Sequence, residues 1–178
     1  MLHLTRTRDY EKAMDHFIRC LAIEDSLRLK NEMVITFIAM SDVLAEVGNH
    51  HKSAEVLDQA LETNAEKDDR EILVVILLKK GKLESAMGES EEASENFENA
   101  LKYAVMLDEP HSKAEALYQL GLLNTKLGKY DEALKRHKTS LMIRRQVNDR
   151  KNEAVSLNAI GELYHLKGND EKSIANHV

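Results

Sequence analysis

Residues 116–141 read ALYQLGLLNTKLGKYDEALKRHKTSL, and this stretch decides the fold. It carries two glycines, Gly121 and Gly128. Forty residues earlier stand Gly81 and Gly88, and forty later Gly161 and Gly168. One further step back gives Gly48, with Ser41 in the place of the other glycine. All seven glycines of the chain therefore fall on one forty-residue register. A fixed period of this length marks an architecture of repeated units, each able to bury its apolar face only against its neighbours.

Composition agrees with helical units. The chain has 178 residues, 43% hydrophobic and 31% charged, with a single proline. That suits a soluble helical chain rather than a loop-rich one. The net charge of −6 argues against non-specific attraction to nucleic acid or an anionic membrane. One cysteine excludes an internal disulfide framework and a multi-cysteine metal site. The longest apolar run, 72–78, is too short to span a bilayer, and the first residues, MLHLTRTRDYEK, carry no secretory apolar core. A cytoplasmic location and no cofactor are expected.

About nine helical segments are expected. Asp9 is read as capping a helix over 10–29, after a remnant at 1–8 that matches the last turns of another. Helices over 31–47 and 50–65 follow, the first stopped by Gly48 and the second capped by Asn49. The pair Asp68 and Asp69 opens a helix to residue 87, and Ser90 is read as the cap of the next, to about 107. Pro110 lies in a first helical turn, where its missing N–H costs nothing. Helices to 127, over 130–147 and over 150–167 follow, and the last begins after Gly168. Connections of two to five residues make neighbouring helices antiparallel hairpins. In register, the array divides into a partial unit at 1–30, units at about 31–68, 69–108 and 109–148, and a partial unit at 149–178.

Gly81, Gly121 and Gly161 fall inside helices, where glycine costs about 1 kcal/mol against alanine. Close approach of the partner helix is the compensating benefit. The residues expected opposite them, Ala13, Ser53, Ala93, Ala133 and Ser173, are all small. Cys20 shares a register with Ala60, Ala100 and Ser140, so a buried and inert thiol is expected. His137 and His177 share one with Phe17 and Phe97 and are read as core residues. Lys80 and Glu84 depart from the apolar residues at their register.

Leu117, Leu120, Gly121, Gly128, Tyr130, Ala133 and Ser140, with their forty-residue images, resemble the tetratricopeptide repeat. The likeness covers essentially the whole chain. The period exceeds the usual thirty-four and is similar to the longer repeats of kinesin light chains, Gα-binding polarity adaptors and bacterial regulators. Residues 147–177 are especially similar to repeats attached to bacterial histidine kinases, diguanylate cyclases and peptide-sensing regulators. The resemblance implies an all-α, right-handed superhelical solenoid whose first helices line a concave groove for a protein or peptide.

Carried over by register, the groove set is Ile35, Ile38, Asp42 and Glu46; then Val75, Leu78, Lys79, Lys82 and Ser85. Next come Glu115, Tyr118, Gln119, Leu122 and Lys126; then Val155, Asn158, Glu162 and His165. Asn158 stands out, because asparagine at that position in similar repeats binds the ligand backbone. The Lys/Asn/Arg set of chaperone-binding repeats is absent, so chaperone tails are not expected as ligand. No catalytic grouping, phosphate loop or HExxH-type pair occurs among the eight histidines.

The expected function is therefore a non-catalytic binding scaffold, part of a larger and bacterial signalling protein. A peptide-pheromone-type sensor and an oligomerisation module of a histidine kinase or diguanylate cyclase are the alternatives. Both ends of the chain cut a helix short, and Leu2, Leu4, Ile160, Leu163 and Ile174 are expected to leave apolar faces open to self-association.

Overall fold

A computed structural model describes residues 2–66 and 68–168, with side chains from Asp9 onward. The described residues form eight helices and no strand: α1 (Leu2–Ser26), α2 (Lys30–Glu46), α3 (His50–Ala65), α4 (Arg70–Met87), α5 (Ser90–Met106), α6 (Pro110–Lys126), α7 (Tyr130–Gln146) and α8 (Arg150–Leu166). The segment expected after Gly168, with Ser173, Ile174 and His177, lies outside the described residues.

From α2 onward every helix begins twenty residues after the last. The cause is a turn repeated at every junction. Each glycine turn holds a left-handed residue: Gly48, Gly88, Gly128 and Gly168, at φ from 72° to 91°. The turns between them do the same with Arg28, Asp68, Asp108 and Asn148, at φ from 53° to 58°. Aspartate and asparagine tolerate this region better than other non-glycine residues. The following amides close each helix end: Gly48 donates to the Ala45 carbonyl and Asn49 to that of Leu44, and Asn148 and Asp149 do likewise to Arg145 and Arg144.

Helix starts are set less uniformly. Asn49, Asp69 and Asp149 accept from the amides of Lys52, Ile72 and Asn152 at 3.4, 3.1 and 3.2 Å. Ser90 is not a cap: it is the first residue of α5, and its hydroxyl reaches back to the Gly88 carbonyl at 3.5 Å. Asp9 is not a cap either. Helix α1 runs through it unbroken, because neither proline nor glycine interrupts residues 2–26.

Two compact units divide within α4, Met1–Leu83 and Glu84–Val178. In the first, Val34, Phe37, Met40, Ala60 and Ile76 form the core, with Met14, Phe17 and Leu21 of α1 packed on it. Full burial of a side chain the size of Val34, Phe37, Met40 or Ile76 contributes about 1.5–3 kcal/mol. Helices α2 and α3 lie close enough for the Ser53 hydroxyl to donate to the Ser41 carbonyl at 2.9 Å. Lys80 departs from its register because it pairs with Asp58. Cys20 is exposed rather than buried; its thiol lies 3.2 Å from a Glu24 carboxylate oxygen, which pushes its pKa up.

In the second unit the core holds Phe97, Ala100, Leu120, Leu123, Ala133, Ile160 and Leu163, each under 4% exposed. Ile160 and Leu163 are thus covered, against the expectation of an open apolar end. Glu84 accepts two hydrogen bonds from the Asn96 side chain, at 2.9 and 2.7 Å, which explains its departure.

Gly121 is the position where close approach is sharpest. A Cβ there would come within 2.6–2.8 Å of three atoms of the His137 ring. The expected neighbour was Ala133; that residue is buried, but the imidazole of His137, one turn further on, covers the glycine. His137 has no exposed surface, and its ring lies against that of Tyr118. Gly121→Ala is therefore expected to destabilise the protein by about 1–3 kcal/mol through overpacking. Truncating His137 in the same chain should cancel most of that increment in a double-mutant cycle read by urea unfolding; additive effects would show that the ring is not the obstacle.

Candidate functional site

By register, the first helix of each hairpin presents one face away from its partner. On α2 and α4 of the first unit this face carries Ile35, Asp42, Val75, Lys79 and Lys82. Ile35 is 58% and Val75 40% exposed, whereas Leu78 is buried and so is not available as a groove residue. Asp42 and Lys79 pair with one another. Their separation of 37 residues is about one repeat, so the pair ties successive first helices together. Lys82 and Glu46 are exposed.

On the second unit the corresponding face belongs to α6 and α8. Glu115, Tyr118 and Gln119 lie half-buried on α6, while Val155, Asn158, Glu162 and His165 are exposed on α8. The Gln119 amide donates to one Glu115 oxygen at 2.9 Å. The other Glu115 oxygen accepts from Arg144 at 2.9 Å. Lys126 donates to both the carbonyl and the hydroxyl of Ser85, each at 3.0 Å, anchoring the end of α6.

Arg144 is the centre of this arrangement. It comes from α7, is 2% exposed, and donates further to the Asn152 carbonyl at 2.9 Å and the Ser156 hydroxyl at 2.8 Å. Its guanidinium sits 4.7 Å from the centre of the Tyr118 ring, a cation–π contact. One planar, five-donor group therefore ties α6, α7 and α8 together. The other side of this cluster is closed by His137, whose ring lies 5.2 Å from that of Tyr118 at 57°. Burial, reinforced by the Arg144 charge, holds His137 down to about 4, so it is neutral at pH 7. Burial pushes the Tyr118 phenol up, with the carboxylates of Glu115 and Glu162 adding to the shift against the opposing pull of Arg144.

Sequence reasoning missed Arg144. Its register images are Glu24, Asn64 and Ala104, all buried. Twelve residues on, the images Thr36, Ile76, Ala116 and Ser156 are buried too. Each position that is polar finds a local partner. Thr36 donates to Glu24 at 3.0 Å, the Asn64 side chain to the Asp69 carbonyl at 2.9 Å, and Arg144 to Ser156. The available signal was the twelve-residue spacing of complementary polar residues at two of the four turns between hairpins, Glu24 with Thr36 and Arg144 with Ser156.

Among the described residues no group of three or more His, Cys, Asp or Glu side chains is placed to hold a metal. No described helix is long and apolar enough to cross a membrane.

Comparison with known proteins follows the repeat. The family model described as Tetratricopeptide repeat matches residues 112–177, and that described as Anaphase-promoting complex subunit 5 matches residues 1–109. The crystal structure of BtubC (BKLC) from P. vanneervenii is similar with a TM-score of 0.84 and 21% identity, over 94% of this chain and 70% of that one. The TPR domain of Arabidopsis FLU gives 0.58 and 28%, over 61% of this chain and 91% of its own. A Rap protein complexed with competence and sporulation factor gives 0.82 and 19%, over 98% and 49%. No curated protein matches the chain.

Proposed function

We propose that this chain, which belongs to the tetratricopeptide-repeat family and whose residues 1–109 fall in the family described as Anaphase-promoting complex subunit 5, is a protein- or peptide-binding scaffold without catalytic activity. The observation that carries the reading is an exposed aliphatic side chain at the same register of α2 and α4 in the first unit and of α8 in the second. Ile35, Val75 and Val155 are 58%, 40% and 37% exposed, while other apolar positions of the same helices, such as Val34, Val74 and Leu163, are buried. Beside them stand oriented polar groups: the Asp42–Lys79 pair, the Glu115–Gln119–Arg144 chain and the exposed Asn158. Aliphatic contacts flanked by fixed donors and acceptors suit a peptide or helix laid on the first-helix face of a single unit.

Glu162, His165 and Lys82 extend the polar part of these faces, and Lys126 keeps its end of α6 in place. In this reading the Arg144 cluster makes the α6 face rigid before ligand arrives, which lowers the ordering cost of binding. A cytoplasmic signalling protein is the setting we favour. The likeness to the Rap protein, whose structure holds competence and sporulation factor, supports a second reading: a sensor that passes ligand occupancy to an attached effector.

A phage-displayed peptide library selected on the whole chain provides the test. Asn158→Ala, and separately Ile35→Asp, are expected to weaken the selected peptides about tenfold or more without lowering helicity or melting temperature. Peptides that bind the wild type and both variants alike would place the site elsewhere.

A further inference from the structure

Ile18 is 59% exposed on α1, at a register where the later units place only charged residues: its forty-residue images are Asp58, Glu98 and Lys138. Two neighbours depart in the same way. Val56 stands where Asn96 and Arg136 follow, and Leu44 where Glu84, Asn124 and Tyr164 follow. In the second unit the polar images meet one another: Arg136 of α7 donates to Glu98 of α5 at 2.6 Å, and Asn96 donates to Glu84. In the first unit Ile18 and Val56 can form no such pair. With Met14 and Leu44 they line a cavity of about 410 Å³ bounded by α1, α2 and α3. That size lies within the range of ligand sites.

The exposure of this face does not depend on what precedes α1. Helix α3 packs on α2 and α7 on α6, each the helix before it, yet Asp58 and Lys138 stay exposed. The images of Met14, which are Ala54, Ser94 and Leu134, are half-buried as Met14 is. Every unit turns this face to solvent, and only its chemistry changes along the chain.

The edges of the trough are charged. Glu11 and Asp15 stand along α1, and Lys52 and Glu55 along α3, so the lining sets three carboxylates against one ammonium. Asp15 pairs with Arg19 of its own helix at 2.9 Å, whereas Glu11 and Glu55 stand on opposite edges. From Tyr10 to Ile18 the α1 edge is about 12 Å long, which matches two turns of a helix. A second copy of this chain, at net charge −6, would bring like charge to this rim.

We infer that the trough binds a segment of another protein that offers aliphatic side chains flanked by lysine or arginine, whose cations meet Glu11 and Glu55 on either edge. The aliphatic floor supplies burial, and the carboxylates supply steering and orientation. The trough shares no lining residue with the first-helix face of α2, so it stands independently of the function proposed above.

A phage-displayed library of random peptides, selected on the whole chain and sorted by loss of binding to Ile18→Glu combined with Val56→Arg, tests this. The variant copies the Glu98–Arg136 pair that the second unit already accommodates, so helicity and melting temperature are expected to hold. Peptides that use the trough should weaken about tenfold or more in it and keep their affinity in Leu166→Glu, at an exposed leucine of α8. They should carry lysine or arginine beside leucine, isoleucine, valine or methionine. Glu11→Lys combined with Glu55→Lys should weaken them about tenfold at low salt, and the difference should vanish near about 1 M salt, where the screening length is about 3 Å. This surface variant keeps the test readable if the trough variant loses helicity. A selection with no peptide sensitive to either variant, sensitive peptides that are acidic or uncharged, or an equal loss in Leu166→Glu would each overturn the assignment. So would a wild-type dimer in sedimentation that the trough variant abolishes, which would give the trough to a second copy.

Discussion

Replacing Arg144 with methionine is expected to lower stability by about 3 kcal/mol, near the lower end of the range for breaking a buried ion pair. The side chain is 3% exposed, and its guanidinium contacts Glu115, the Asn152 carbonyl, Ser156 and the Tyr118 face. Methionine fills much of the volume but donates no hydrogen bond, so the Asn152 carbonyl, the Ser156 hydroxyl and Glu115 each lose the bond from Arg144 while remaining largely dry. Glu115 is 27% exposed and recovers some hydration, which keeps the cost from the upper end of that range. The register suggests the rescue. Ala104 and Ala116 stand where Arg144 and Ser156 do one repeat later, and both are fully buried. An apolar version of the junction is therefore compatible with the fold. Arg144→Met with Glu115→Gln and Ser156→Ala should regain most of the loss. Urea unfolding checks both: a single variant within 1 kcal/mol of wild type, or a triple variant no better than the single, would contradict this account.

Acidification is expected to cost the protein about 3 kcal/mol through His137 alone. Its ring has no exposed surface, and neither nitrogen has a hydrogen-bond partner. Folded, it titrates at about 4 against 6.5 for an unperturbed histidine. In the unfolded chain it takes up its proton first, as pH falls through about 6.5. Stability is therefore unaffected by this group above that pH and declines by about 1.4 kcal/mol per pH unit down to about 4, where the folded form also protonates. The cause is desolvation, with the Arg144 charge acting in the same sense. His137→Phe removes the titration. Phe97 occupies the same register on α5 at 1% exposure, so an aromatic ring is at home at this position. Stability measured from pH 7 to 4 should lose this part of its slope in the variant; an unchanged slope would move the effect to another group.

Much of the fold was legible because its determinants are local. A glycine at φ near 80°, an aspartate at a helix start and a proline in a first turn act within four residues, and a repeated period multiplies each signal. The alternate turns at Arg28, Asp68, Asp108 and Asn148 were harder to read because no single residue type marks them. Asp9 and Ser90 misled because both types also sit within helices, where surroundings beyond the local sequence decide.

The candidate site was less legible. Register placed Ile35, Val75, Asn158 and the others on first-helix faces, but it could not say which side chains were already engaged. Asp42 is paired with Lys79 and Glu115 with Arg144, over 37 and 29 residues of chain. Cys20 shows the same limit: its images Ala60, Ala100 and Ser140 are buried, whereas Cys20 itself is exposed.

The sequence by itself determined an all-helical forty-residue repeat, its turns and the spacing of its core, because a repeated short-range signal needs no knowledge of distant partners. Only the tertiary structure decided that His137 rather than Ala133 closes over Gly121, that Arg144 gathers three helices around one charge, and that Cys20 is exposed where its images are buried. Those outcomes depend on which side chains meet across helices and on how much water their meeting excludes, and neither quantity is written in a period.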